Sequence, residues 1–140
     1  MEWIKTFEGF LFEFIHRNEL RDVEKYLDQI FQEVGMDIEF TKHFYDQLNL
    51  ARNIKDITTQ ELIDMFNATY QEYGAKFPKY GDRYKAVLQD MQSDINIPFL
   101  LQTNPRTGDV ELIAKTVMRT PNFLTPEPKI KVNKKAKSGL

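Results

Sequence analysis

The chain contains no cysteine. That excludes disulfides, thiolate metal sites and cysteine nucleophiles together, and it fits a reducing compartment. With two histidines in 140 residues, there is no His/Cys metal constellation, and neither a metal nor a cofactor is expected. The six glycines form no phosphate-cradling loop, and no Gly-x-Ser-x-Gly nucleophile turn is present. No apolar run approaches the ~18–20 residues that cross a bilayer, so no membrane partner is expected. Glu2, Lys5, Glu8 and Glu13 interrupt what a secretory signal would need as an uncharged apolar stretch.

Aromatics are plentiful instead, with eleven Phe and six Tyr. An apolar share of 41% is enough for one core at this length. Charge is unevenly spread. From residue 115 to 140, seven basic residues face one acid, Glu127, giving +6, while the remainder has twelve basic and twenty acidic residues, giving −8. A basic end on an acidic body can guide a polyanion to one face. A solvated lysine tail is the other reading.

Trp3, Phe7, Phe10, Leu11, Phe14 and Ile15 recur at helical spacing, predicting an amphipathic helix over residues 2–16. A second helix is expected over 20–34, stopped by Gly35. Residues 36–40 alternate as a strand. Thr41 can cap a short helix to Leu48, and residues 49–57 read as a loop. Thr58 and Glu61 form a capping box for a helix that runs to Gly74. Residues 74–81 read as a looser connection. A further helix is expected over 82–91, burying Tyr84, Val87, Leu88 and Met91.

The period then changes to two. Ile95, Ile97, Phe99 and Leu101 share one side of a strand, and Pro98 points to an edge or a bulge. Residues 104–109 are dense in turn formers. The return strand over 110–119 places Val110, Leu112, Ala114, Thr116 and Met118 on one face. Glu111, Ile113, Lys115, Val117 and Arg119 take the other, and apolar residues on both faces predict a central strand. A last strand over 129–132 is expected beside it. The organisation expected is an N-terminal helix (1–16), an α+β domain (17–133) and a basic tail (134–140).

His43, near a helix start, has its neutral form favoured by the helix dipole, as a general base requires. A structural hydrogen bond is the alternative for a lone histidine. Lys115 and Arg119, four residues apart, would lie about 13 Å apart on one strand face. Cations so placed can bind successive phosphates or steady a phosphorane; snorkelling strand-end side chains are the alternative. The acid pairs Asp37/Glu39 and Asp90/Asp94 read as solvated strand and helix ends.

Two stretches, FTKHFYDQLNLARNIKDITTQEL (40–62) and DINIPFLLQTNPRTGDVELIAKTVMRTPNF (94–123), resemble a small protein family of tailed bacteriophages. The order of a His-bearing helix, a second helix, a hairpin and a basic residue at its end is similar to RelE-type toxins and the phage endoribonuclease RegB. That resemblance implies metal-independent RNA cleavage. His43 would be the base, Lys115 and Arg119 the catalytic cations, and Arg52, Lys129 and Lys131 further RNA-binding cations. The phage family carries a basic residue four places after the histidine; here Gln47 stands there. Separately, KTFEGFLFE (5–13) is similar to capsid-targeting peptides of T-even-like phage internal head proteins, with Leu11-Phe12-Glu13 fitting the protease signal.

The expected fold is therefore α+β, RelE-like, with helices on one side of a small antiparallel sheet. The expected function is RNA binding or endoribonucleolytic cleavage in a host cytoplasm. The alternative is a non-catalytic protein packaged inside the virion, recruited to a phage head, or docked on a host protein, through its N-terminal helix.

Overall fold

A computed structural model of the protein describes residues 15–50 and 55–134. The targeting-type helix expected over residues 2–16 lies outside them except at its end. There Ile15 is buried in the core, its N–H and C=O both bonded at 2.9 Å to the Asn49 side chain. His16 is the N-cap of α1 (Arg17–Phe31), and its N–H donates to Glu19 at 2.7 Å.

Helix α1 buries Leu20, Val23, Leu27 and Phe31, the i, i+3, i+7 stripe that its sequence carries. A 3-10 turn, Gln32–Val34, follows, and Gly35 reverses the chain at φ 72°, a left-handed conformation that favours glycine. Strand β1 (Met36–Phe40) and helix α2 (Lys42–Leu48) come next. Helix α3 (Thr59–Tyr73) starts at the expected capping box, with Thr58 and Glu61 satisfying each other's backbone N–H groups. A short helix, α4 (Phe77–Tyr80), occupies the connection expected to be irregular.

The sheet contains β1, β2 (Lys85–Asp90), β3 (Ile95–Thr103), β4 (Val110–Ala114), β5 (Met118–Arg119) and β6 (Lys129–Val132), ordered β1-β4-β3-β2-β6 with β5 also on β3. The α+β class is as expected. The sheet is mixed rather than antiparallel throughout: β3 runs antiparallel to β2, β4 and β5, while β1 lies parallel to β4 and β6 parallel to β2. The last strand thus pairs with β2, not with the return strand.

Three sequence expectations change. Residues 85–90 form a strand, not a helix, because Ala86–Asp90 are buried on both faces of the sheet. A strand covered on both faces shows no polar alternation, and Tyr84, Val87, Leu88 and Met91 imitate a helical stripe. Asp90 is consequently buried rather than a solvated helix end, accepting from Gln92 N–H, Ser93 Oγ and Asn133 Nδ2.

The return strand is also broken. Phe99 faces Ala114 and Asn96 faces Met118, so three steps on β3 oppose four on the returning chain. The extra residue is a bulge beside Pro98, whose carbonyl accepts from Lys115 N–H. A one-residue slip reverses which side chains face which layer. Val117 and Arg119 are therefore buried along with Leu112 and Ala114, against the alternation expected for an unbroken strand.

Ile95, Ile97, Phe99 and Leu101 form the centre of the core as expected, none of them exposed. Phe31, Phe66 and Phe77 close over that side of the sheet, with Phe77 meeting Phe99 edge-on at 5.8 Å.

Candidate nucleic-acid interface

The residues that sequence reading grouped as one site are distributed over the molecule. His43 is exposed in the second position of α2. Thr41, which caps α2 by accepting from Phe44 N–H, donates its hydroxyl to Lys115 C=O at 3.0 Å. The bulge thus brings the Lys115 backbone to the corner that carries His43. Arg52 lies outside the described residues.

Arg119 is elsewhere and only 5% exposed. Its Nε donates to Lys55 C=O, Nη1 to Ser93 C=O, and Nη2 to Asp56 C=O and to Glu61 at 2.7 Å. Burial pushes the Glu61 carboxyl up, but the Arg119 hydrogen bond, the Thr58 N–H and the Arg119 and Lys55 charges outweigh it and hold it low. The guanidinium therefore ties the α3 cap to two chain turns. A polar cleft of about 450 Å³ opens beside it, lined also by Asp64, Asp90, Asp94 and Asn133.

The two edges of the sheet differ in charge. At the β1 edge, Ile38 N–H donates to Asp28 and Phe40 N–H to Glu24, each at 2.7 Å. Four helix residues rise about 6.0 Å and two strand residues about 6.7 Å, so carboxylates at i and i+4 of α1 match successive free donors of an edge strand. This occupies donors that an edge strand would otherwise offer to another chain. Asp37, Glu39 and Glu111 stand on the opposite side of the same strands, and together these five acids line a groove of about 700 Å³.

Arg17, Arg21, Lys25 and Lys42 line the same groove, so its five carboxylates face four cations. Glu24 is raised by burial, against the Phe40 hydrogen bond, and further by Asp28 and Glu39, with the Arg21 charge opposing. Asp28 is raised by burial and by Asp37, against its Ile38 bond, and Glu111 by burial, Glu39 and Asp37.

A carboxyl with a higher pKa when folded binds its proton more tightly in the fold, so stability rises as pH falls through that value. Glu61 has the opposite sign: its contribution is present above the ordinary carboxylate range and is lost as pH falls through its depressed value. The urea midpoint is therefore expected to rise from pH 7 to about pH 5 and to fall below about pH 4. Glu24→Gln keeps an oxygen for Phe40 N–H, removes the charge, and should flatten the rise. A midpoint that declines steadily from pH 7 would contradict this.

The β6 edge is basic. Lys129 pairs with Val87 and Lys131 with Gln89, which puts both lysines on the sheet face that carries Lys85. Lys131 and Lys129 thus stand about 6.7 Å apart on β6, and Lys85 continues the row diagonally on β2, about 8 Å from Lys129. All three are exposed, and among the described residues none has an ion pair. Arg83, Lys76 and Lys79 are exposed at the same end.

Aromatic rings lie on the other side of this edge, packed against the core. Tyr80 and Tyr84 stack at 4.6 Å and 17°, Lys76 lies 5.4 Å over the Tyr73 ring, and the Tyr73 hydroxyl donates to Lys131 C=O. Sequence reading identified Lys129 and Lys131 but missed Lys85 and Arg83, because residues 82–91 were expected to be a helix, and Lys76 and Lys79, because residues 74–81 were expected to be an irregular connection. His43 follows β1, four inter-strand steps of about 4.8 Å or roughly 19 Å from β6, and Lys115 follows β4, three steps or roughly 14 Å away.

No family model, no curated protein and no solved structure matches this chain.

Proposed function

We propose that the protein binds a single strand of RNA along its β6 edge. The observation that carries this is the Lys131–Lys129–Lys85 row, supplied by two neighbouring strands and without acidic partners among the described residues. Its step is close to the spacing of neighbouring phosphates on an extended strand, and lysines at such intervals place one cation per phosphate. RNA is the strand to which the resemblance to RelE-type proteins points.

Binding, rather than cleavage, is what this arrangement supports. The Arg119 guanidinium is occupied by four protein acceptors, and His43 stands at the other edge of the sheet.

Fluorescence anisotropy with a labelled single-stranded RNA tests the reading. Lys129→Glu with Lys131→Glu is expected to weaken binding about 100-fold at low salt, and neutralising the same pair to lower the salt slope by about 2. His43→Ala should bind like wild type. Absence of binding by wild type, or equal affinity in the reversed variant, would overturn it. The same sequence as DNA is the control for strand type.

A further inference from the structure

The sheet has complementary edges, and we infer that copies of this chain associate head to tail, the β6 edge of one against the β1 edge of the next. Strand directions make this geometrically simple. β1 is parallel to β4, β4 antiparallel to β3, β3 antiparallel to β2, and β2 parallel to β6. The two outer strands therefore point the same way, and a second copy shifted across the sheet presents β6 alongside β1 without reversal.

The side chains match on one face. Asp37 and Glu39 are two residues apart on β1, and their register with Glu111 and Ile113 places them on the sheet face of Leu100. Lys129 and Lys131 are two residues apart on β6, on the same face, since their partners Val87 and Gln89 alternate with the core-facing Leu88. Both intervals are about 6.7 Å, so two lysines of one copy meet two acids of the next in register.

Glu111 adds a third carboxylate at the receiving edge, and its pKa is raised by burial and by Glu39 and Asp37. Among the described residues, no ion pair involves Asp37, Glu39, Glu111, Lys129 or Lys131. Asp37, Glu39 and Glu111 thus offer carboxylates to the two lysines, in a groove that Arg17, Arg21, Lys25 and Lys42 also line.

The contact is made by side chains rather than by an extended ladder. Ile38 and Phe40 N–H are held by Asp28 and Glu24, and Lys131 C=O by the Tyr73 hydroxyl. A contact of this kind is electrostatic, weakened by salt, and heterologous, so it adds copies without closing on a two-fold axis. It is independent of the RNA reading, although both use Lys129 and Lys131 and a bound strand would compete with a second copy.

Sedimentation of the full chain, freed of nucleic acid, tests this. At low ionic strength the average mass of wild type is expected to rise with concentration above the 16.6 kDa chain, and at high ionic strength to return to it. Lys129→Glu with Lys131→Glu, and separately Asp37→Lys with Glu39→Lys, should each weaken association about tenfold or more. Mixing the two variants should restore it, because each reversed edge then faces a reversed partner. Wild type that stays monomeric at low ionic strength, or a mixture that fails to recover, would overturn the inference, while RNA affinity measured on dilute protein stands or falls separately.

Discussion

Arg119→Ala is expected to reduce folding stability by about 3–5 kcal/mol, the range for breaking a buried, hydrogen-bonded ion pair from one side. The guanidinium is almost wholly buried, and its partner Glu61 is 26% exposed. Deleting it removes the hydrogen bonds to the carbonyls of Lys55, Asp56 and Ser93. It also leaves Glu61 with its charge beside an emptied site, at the position that caps α3. With a urea m-value of about 1.5 kcal/mol/M, the midpoint should fall by roughly 2–3 M.

Arg119→Lys keeps the charge but cannot spread donors over four acceptors in three directions, and should recover less than half of the loss. A catalytic cation makes the opposite prediction: an unchanged midpoint with a lost activity. Circular dichroism during urea unfolding decides between them, and an Arg119→Ala midpoint equal to wild type would remove Arg119 from the structural role given it here.

The different fates of Arg119 and Lys115 show what sequence periodicity can and cannot convey. The alternation of Ile95, Ile97, Phe99 and Leu101 is strong because only one side of β3 there faces the helices, and it located that strand correctly. The same logic carried past Ala114 fails, because one extra residue opposite Ile97 and Pro98 exchanges the two faces. Pro98 marks the place in the sequence, since it has no N–H to complete a regular ladder. Its effect on the register of the opposing strand is not local, so Arg119 passed for a surface cation.

β2 failed for a different reason. Val87 and Gln89 are covered on one face and Ala86, Leu88 and Asp90 on the other, so burial on both sides left no period to read. The local signals that survived were those that depend on only a few neighbouring residues. They include the Thr58–Glu61 capping box, the Gly35 reversal and the Thr41 cap.

The candidate interface was half legible. Lys129 and Lys131 lie in a basic stretch that any charge count detects. Lys85 joins them only because β2 and β6 are parallel and in a definite register, a pairing between residues some 40 positions apart. The acidic edge was harder still. Glu24 and Asp28 look like ordinary solvated helix charges at i and i+4 until β1 is placed beside them, and Asp37 and Glu39 like strand-end polarity. What makes them a feature is the fit between a helical and an extended spacing, which exists only in the folded chain.

The second large effect is expected at Asn96, which is 0% exposed. Its Nδ2 donates to Thr120 C=O at 2.9 Å and Asp94 C=O at 3.1 Å and lies 3.5 Å from Met118 C=O, while its Oδ1 accepts from Gln89 Nε2 at 3.0 Å. Asn96→Asp preserves shape but replaces both donors with an oxygen directed at carbonyls. At pH 7 it should cost about 3–5 kcal/mol, the scale of an uncompensated buried charge.

Burial raises the pKa of the introduced carboxyl, so the deficit should shrink as pH falls through that raised value, and a urea midpoint matching wild type at pH 7 would refute the assignment. The position also bears on function. Asn96 holds the chain as it leaves β5 for β6, and β6 is fixed to β2 through Val87 N–H to Pro128 C=O and Met91 N–H to Val132 C=O. Local loosening of β6 would appear as faster hydrogen exchange at Val87 and Met91 and, on the proposed reading, as weaker RNA binding. The register that sets Lys129 and Lys131 beside Val87 and Gln89 thus depends on an uncharged, buried amide on a different strand.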